Sequence, residues 1–526
     1  MSLTITLLIY LILKIIREEL FGGFIMTKLS LQELEQHLWK SADILRGSVN
    51  SNSYKNYIFG LLFLKRTSDV FNEQREQIIA QYGEEAGAQL AELPMNYQFY
   101  VPEAARWETV RKQATNIGAT INIAFEALEN ENATLTNVLT PIDFNNKEVL
   151  TDDILQRLLQ HFSQLDLSNK NLSEPDMLGR AYEYLIKMFA DDAGQKGGEF
   201  YTPSKVVELI VKLIKPQEGM RVYDPTCGSG GMLIQAVDYV KSIGGNPQSL
   251  SLFGQEKNLD TWAIAKMNLL LHNLPDHQIE KGDTLRDPKL KEDGELMLFD
   301  RVIANPPFSL KEWGVDEAKA DTFGRYQYGI PPKSYGDLAF VQHMIASLNS
   351  EGIAGVIMPH GVLFRGGAEG KIRKALLQPE ADYIEAVIGL PSNLFYGTGI
   401  PACILVINRN KPAERKGNVF FIAAEDGFDP GKNQNTLRPK DIETIISTFD
   451  AYEDVEKYAR KVSLDEIAAN DYNLNITRYI DKSVEEEQVD IENVLKEIKE
   501  IKEAQQQNAI KLNAYLRELG MGELEW

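Results

Sequence analysis

The sharpest chemistry sits in Asn305-Pro306-Pro307-Phe308, directly after the apolar run Phe299-Asp300-Arg301-Val302-Ile303-Ala304. Two consecutive prolines cannot continue a β-ladder or start a turn inside a helix, so they stiffen a loop at the edge of a sheet. Such a loop fixes an Asn amide and a backbone carbonyl in space, with an aromatic ring beside them. The set fits an exocyclic amine on a planar base. The Asn305 oxygen and the Pro306 carbonyl can accept the two amine hydrogens, which turns the nitrogen lone pair toward an electrophile. Phe308 can stack on the base. A neutral Asn suffices, because the attacking amine becomes cationic and sheds its proton afterwards. Asn-Pro-Pro alone is an ordinary surface turn; its place in the strand order gives it meaning.

A second constellation precedes it. Arg221-Val222-Tyr223-Asp224-Pro225-Thr226-Cys227-Gly228-Ser229-Gly230-Gly231 reads as a strand ending in an acid, then a glycine-rich turn, then a helix from Met232. The carboxyl edge of such a sheet is where ligands bind, and the glycines let the backbone approach one closely. The apolar run at 250–253 leads to Glu256, placed as the acid that holds ribose hydroxyls in nucleotide-binding units. Asp283, in Gly282-Asp283-Thr284-Leu285, can accept from an adenine amine. Each acid alone is most often a cap or loop residue. In this order, at strand ends, they point to an adenosine-containing ligand. The pattern G-x-x-x-x-G-K-[ST] of a phosphate loop is absent.

These residues need a scaffold, and the chain provides a change of texture. Residues 27–170 read as helical: Leu34, Leu38, Trp39 and Leu45 fall at helical spacing, as do the apolar residues of 54–71 and Leu150, Ile154, Leu158 and Phe162. From about residue 200, short apolar runs at 220–223, 250–253, 296–303, 353–358, 384–388, 403–408 and 419–423 alternate with helical segments. That alternation predicts a doubly wound α/β sheet. In the tail, Ile491, Val494, Ile498, Ile501, Gln505, Asn508, Leu512, Tyr515 and Leu519 step by threes and fours, a heptad seam with a polar break. Such a stripe must pack on another helix, in the chain or on a partner.

At 526 residues the chain has room for about three domains. Two cysteines exclude a disulfide scaffold and a four-cysteine zinc site and suit a reducing cytoplasm, and the six histidines show no metal-ligand spacing. No metal is expected. The net charge of −21 makes a poor phosphate binder. Residues 190–420 hold 25 Lys and Arg against 28 Asp and Glu, a balance of −3, so −18 lies in the flanks. Any nucleic-acid partner then requires a local patch or a basic companion. The apolar residues 3–13 are too few to span a membrane, no positive charge precedes them, and Met26 opens an ordinary start. Residues 1–25 are therefore expected to be an upstream start-site or cloning extension, with a membrane-attached helix as the rival.

The sequence resembles the methyltransferase (modification) subunit of type I restriction–modification systems, adenine-N6 DNA methyltransferases that use S-adenosylmethionine. The motifs run in the gamma-class order, cofactor motifs first and catalytic tetrapeptide later. Gly198-Glu199-Phe200-Tyr201-Thr202-Pro203 resembles the segment that closes over the methionine end of the cofactor. Asp224 to Gly230 resembles the glycine-rich motif, Glu256 and Asp283 the ribose and adenine acids, and 305–308 the catalytic motif. Leu390-Pro391-Ser392-Asn393-Leu394-Phe395-Tyr396-Gly397-Thr398-Gly399-Ile400-Pro401 resembles a late motif that shapes the target-base pocket, and 38–47 the start of the family's helical domain.

The resemblance implies a catalytic role for Asn305, Pro306, Pro307 and Phe308. It implies cofactor binding by Glu199, Phe200, Tyr201, Thr202, Asp224, Thr226, Gly228, Ser229, Gly230, Glu256 and Asp283. It implies a helical domain over 26–170, a methyltransferase domain over 171–425 and a C-terminal region over 426–526 whose helix at 484–519 docks on a partner. The implied partners are double-stranded DNA, a specificity subunit, a second modification subunit and a restriction subunit, with no membrane. Methylation of guanine amines in RNA, methylation of protein glutamine, or a non-catalytic scaffold are the other readings of Asn-Pro-Pro-Phe on this fold.

Overall fold

The computed structural model describes residues 28–49, 51–174, 176–193, 201–396, 398–432, 434–482, 491–522 and 524. The N-terminal run at 1–25 lies outside them. Two compact units are distinguished, Met1–Ile480 and Asp481–Trp526.

The first unit opens with helices α1 (Leu31–Leu45), α2 (Ser51–Tyr82), α3 (Ile117–Glu131), α4 (Asp152–Phe162) and α5 (Met177–Ala193). Local chemistry starts them where it should. Ser30 and Glu33 form a reciprocal capping box on α1, and the Thr151 hydroxyl accepts from the third amide of α4. The buried face of α1 is Leu34, Leu38, Ala42 and Leu45, the stripe read from spacing. Phe59, Phe63 and Phe71 of α2 are fully buried, each contributing roughly 1.5–3 kcal/mol of apolar burial.

The remaining longer helices of this unit are α6 (Ser204–Ile214), α7 (Gly231–Ser242), α8 (Leu259–Leu271), α9 (Asp337–Ser347), α10 (Gly367–Leu376) and α11 (Pro439–Ala451). They flank strands β1 (Arg221–Asp224), β2 (Ser251–Glu256), β3 (His277–Lys281), β4 (Lys291–Glu292), β5 (Glu295–Leu296), β6 (Phe299–Ala304), β7 (Leu348–Pro359), β8 (Ile384–Gly389), β9 (Ala402–Asn408), β10 (Asn418–Ala423) and β11 (Ala459–Ser463). Among the described residues, nine of these form one sheet in the order β11-β10-β8-β9-β7-β6-β1-β2-β3. β6, β1, β2 and β3 run parallel, as do β6 and β7, whereas β9 is antiparallel to β7 and β8, and β11 to β10.

The doubly wound expectation thus holds for the half that carries the motifs, and the far half is mixed. One strand run needs correction. The apolar stretch 296–303 is broken, because Leu296 pairs with Lys291 in a separate hairpin. Asp293 and Gly294 both take positive φ, 51° and 88°, the two-residue turn that closes a tight hairpin and removes Leu296 from the sheet.

One apolar cluster runs from Leu34 in α1 to the sheet residues Ile303, Ile388 and Phe420, so helices and sheet share a core. The Phe59 and Tyr182 rings lie 4.1 Å apart, and the Tyr182 hydroxyl donates to the Ile264 carbonyl at 3.3 Å. Gly179 lets α5 approach α8, since a Cβ there would stand 2.5 Å from the His272 ring. In the second unit, α12 (Ile491–Glu518) carries the heptad residues, and Ile491 (69%), Ile501 (66%) and Tyr515 (63%) are exposed. Among the described residues, no helix is long and apolar enough to cross a membrane.

Candidate active site

The strand order explains why distant motifs meet. β6, β1, β2 and β3 are consecutive in the sheet and parallel, so their carboxyl ends share one edge. Asn305 follows β6, Asp224 ends β1, Glu256 ends β2, and Asp283 stands two residues past β3. At ~4.8 Å per strand the row spans roughly 14 Å, the reach of an extended nucleoside joined to an amino acid. The switch from β1 to β6 is also where the chain direction across the sheet reverses, the usual ligand crevice.

The glycine loop is built by backbone geometry. Gly228 and Gly230 hold φ of 54° and 81°, left-handed values that favour glycine. Asp224 Oδ1 accepts the Thr226 N–H at 2.9 Å, and Gly230 N–H donates to the Cys227 carbonyl at 2.8 Å. Asn268 of α8 anchors the loop by donating to the Ser229 carbonyl at 3.0 Å. Gly254 lets the loop lie against β2, since a Cβ there would be 3.0 Å from Cys227 Sγ. Gly230 caps α7 and shapes the turn without lining the cavity, whereas Gly228, Ser229 and Thr226 do line it. Thr226 Oγ1 is buried with no hydrogen-bond partner among the described residues, a polar atom that a ligand can satisfy.

The two acids at or just past the ends of β2 and β3 differ. Glu256 accepts from the Gly228 N–H at 3.1 Å and the Asn258 N–H at 2.8 Å, which ties the end of β2 to the glycine loop and leaves lone pairs that a ligand's hydroxyls can use. Burial raises its pKa despite those bonds. Asp283 accepts from the Leu285 N–H at 3.1 Å and pairs with Lys257 at 3.0 Å. Asp224 is more deeply buried. Burial pushes its carboxyl up to about 8, the Thr226 N–H opposes this, and Glu256 adds to it.

Among the described residues, Asn305 is held by one side-chain bond: its Nδ2 donates to Thr202 Oγ1 at 3.0 Å. That leaves Oδ1 as the acceptor for an incoming amine. Pro306, Pro307 and Phe308 line the same cleft, of about 810 Å³, together with Glu256, Asp283, Tyr201 and Thr226. This is ample for a nucleoside cofactor and part of a base. The loop is pinned behind, where Asp337 of α9 accepts the Ser309 N–H at 2.7 Å and pairs with Arg365 at 2.8 Å. Glu199 and Phe200 lie outside the described residues, so only Tyr201 and Thr202 of that segment are placed.

Two aromatic residues of the late motif and one acid that no motif marked complete the surroundings. Phe395 meets Phe308 edge-on with ring centroids 5.9 Å apart, and Tyr396 faces Tyr201 at 5.8 Å. Both sit in the 390–401 segment, for which the resemblance implied a place at the target-base pocket, and both line the cleft. Burial raises Tyr201 to about 12, and Glu183 adds to the shift. Tyr396 is raised by burial and by its hydrogen bond to Asp191 of α5. Glu183 of α5 lines a smaller cavity of about 70 Å³ with Asp224, Thr202 and Asn305. No periodicity or motif marked it, because it belongs to the helical segment before the sheet.

The chain matches two family models, N-6 DNA Methylase over residues 173–488 and HsdM N-terminal domain over residues 34–162. It is 34% identical to the type I restriction enzyme MjaVII methylase subunit of Methanocaldococcus jannaschii, over 90% of this chain and 82% of that one. It is 29% identical to the MpnII methylase subunit of Mycoplasma pneumoniae, over 92% and 96%. Among solved structures, the type I methyltransferase subunit from Streptococcus thermophilus superposes with a TM-score of 0.76 at 32% identity, covering 86% of this chain and 100% of that one. The chain belongs to the N-6 DNA methylase family and, within it, to the methylase subunits of type I restriction enzymes.

Proposed function

We propose that the chain transfers a methyl group from S-adenosylmethionine to the N6 amine of adenine in double-stranded DNA, as the modification subunit of a type I restriction–modification complex. One arrangement carries this function: an Asn305 amide oriented by Thr202, at the mouth of a cleft whose other end holds Glu256 and Asp283. When bound, S-adenosylmethionine supplies an electrophilic methyl group on a sulfonium. Glu256 takes the ribose hydroxyls and Asp283 the adenine amine, while Thr226, Gly228, Ser229, Tyr201 and Thr202 enclose the methionine half. Glu199 and Phe200 extend that enclosure by the family resemblance.

A target adenine flipped out of the duplex enters beside Phe395 and Tyr396 and stacks on Phe308. Asn305 Oδ1 and the Pro306 carbonyl accept its two N6 hydrogens, so the nitrogen lone pair faces the methyl carbon. The new N–C bond forms as the C–S bond breaks, with its electron pair going to sulfur. The cationic amine then releases a proton to solvent.

The acidic chain relies on companions for its grip on DNA. The exposed heptad face of α12 is the docking helix for a specificity subunit, with a second modification subunit and restriction subunits completing the assembly. The test expresses the chain with its neighbouring gene products in a host lacking adenine methylation and maps N6-methyladenine across the DNA. Methylation at a split motif, lost in Asn305→Ala, is the expected result. An intact complex that binds cofactor and leaves DNA unmethylated would overturn it. Deleting 484–526 should release the specificity subunit.

A further inference from the structure

We propose that Glu183, on the helical side of the small cavity, is the counter-charge for the α-ammonium of the cofactor's methionine portion, a role that rests on the S-adenosylmethionine reading above. The placement is specific. Glu183 shares the cavity of about 70 Å³ with Tyr201, Thr202, Asp224, Gly231 and Asn305. Its Oε1 lies 3.7 Å from where a Cβ on Gly231 would stand, so the carboxylate sits at the first turn of α7.

A structural reason for an acid there is missing. α7 has no side-chain cap hydrogen bond, and no backbone N–H is among the influences on Glu183. Among the described residues it forms no ion pair; His272 acts on it only at longer range, and His272 is itself paired with Asp176 at 2.9 Å. Burial pushes the Glu183 carboxyl up to about 7, with His272 pulling it down and Asp238 and Asp176 pushing it further up. A half-buried carboxylate with no cation beside it is costly, and it persists where a ligand brings the missing charge.

The ligand's own chemistry selects which charge. Glu256 and Asp283 take the adenosine end of the row, so the amino-acid end falls beyond Asp224, in this cavity. An ammonium presents three donors and a full charge to an acceptor-only carboxylate. Thr202, Ser204, Ser229 and Gln235 remain as polar partners for the ligand's carboxylate. Glu183 thereby reads whether the bound adenosine compound carries an amino-acid group, and it does so from α5, the helix that precedes the sheet.

The experiment measures binding by calorimetry on the full chain with two ligands. S-adenosylhomocysteine carries the ammonium; 5′-methylthioadenosine has the same nucleoside and thioether without it. Glu183→Gln is expected to raise Kd for S-adenosylhomocysteine by roughly tenfold or more, as for loss of a charge-assisted hydrogen bond, and to leave 5′-methylthioadenosine within about threefold. Glu256→Gln, at the ribose, should weaken both. A Glu183→Gln loss that is equal for the two ligands, or absent for both, overturns the proposal. Should that variant fail to fold, Glu183→Asp keeps the charge one methylene further back, and the same ligand-selective loss is required of it. If the wild-type chain binds neither ligand, the cofactor reading itself fails and this proposal falls with it.

Discussion

Raising the pH from 6.5 to 8 is expected to destabilise the ligand-free protein through Asp224. Its carboxyl is pushed up to about 8 from an ordinary 3.8, chiefly by burial. Between those values the folded form holds a proton that the unfolded form has released, so deprotonation favours unfolding and stability falls as pH rises. At ~1.4 kcal/mol per unit, the interval from 6.5 to 8 removes about 2 kcal/mol. Other groups lean the same way: Glu183 up to about 7, and His272 raised because the Asp176, Glu183 and Asp238 carboxylates outweigh its burial. The overall slope is therefore not diagnostic, and the substitution Asp224→Asn is. Asn keeps an oxygen for the Thr226 N–H at 2.9 Å and cannot ionise. Urea unfolding at pH 6.5 and 8 should show Asp224→Asn losing about 2 kcal/mol less than wild type. Saturating S-adenosylhomocysteine should shrink the difference, because its ammonium stabilises the ionised site. An Asp224→Asn slope equal to that of wild type would refute the link between this carboxyl and folding.

Four further outcomes follow from named contacts. Thr202→Val removes the acceptor that orients Asn305, so single-turnover methyl transfer should slow by about 2- to 10-fold, the worth of one neutral hydrogen bond, and an unchanged rate would rule out that role. Asp337→Ala strips the Ser309 N–H and Arg365 of a partner that is 1% exposed; it should cost about 3 kcal/mol in urea unfolding, with Asp337→Asn retaining part. His37 and His161 stack at 3.8 Å and each Nε2 donates to the other's backbone carbonyl; burial, then His161, holds the His37 pKa down, so its contribution is present above pH 6.5 and lost on acidification, and His37→Gln should flatten the melting temperature between pH 6.5 and 5. Gly254→Ala sets a methyl 2.9 Å from Ile279 Cδ1 and 3.0 Å from Cys227 Sγ, for about 1–3 kcal/mol by thermal melts, and Cys227→Ala added to it should recover part.

The row of site residues was legible because each member stands at a strand end with its own local signal. Asp224 precedes a glycine turn, and Asn305 precedes two prolines. What escaped was governed by partners far away in the chain. Leu296 looked continuous with the strand that follows until the Asp293-Gly294 turn paired it back on Lys291. β11, Ala-Arg-Lys-Val-Ser, buries only Ala459 and Val462 at the sheet edge, too little apolar signal to mark a strand. β9 reads as an ordinary buried run, and nothing in Cys403-Ile404-Leu405-Val406 states that it lies antiparallel between β7 and β8. Glu183 is hidden for another reason: an acid on an amphipathic helix reads as solvated until a sheet is packed against it.

On the proposed reading of Glu183, α5, which opens the N-6 DNA methylase match at 173–488, enters the chemistry. Asp176, Glu183 and Asp191 are spaced by seven and eight residues. At ~100° per residue they fall within roughly 80° of one another around a helix axis, on one stripe of α5 and the residue that precedes it. Each touches a different part of the catalytic half. Asp176 pairs with His272 at the end of α8, Glu183 faces the small cavity beside Asp224, and Asp191 accepts from the Tyr396 hydroxyl beside the cleft lined by Asn305 and Phe308. Gly179, on the same helix, lets that stripe come close enough. The small cavity and the larger cleft are therefore both referenced to one rigid element that lies outside the sheet. A turn of α5 by a single residue step, ~100°, would withdraw all three contacts together. On the proposed reading of Glu183, the sheet and its loops do not make a complete site without α5, which packs against them within the N-6 DNA methylase match.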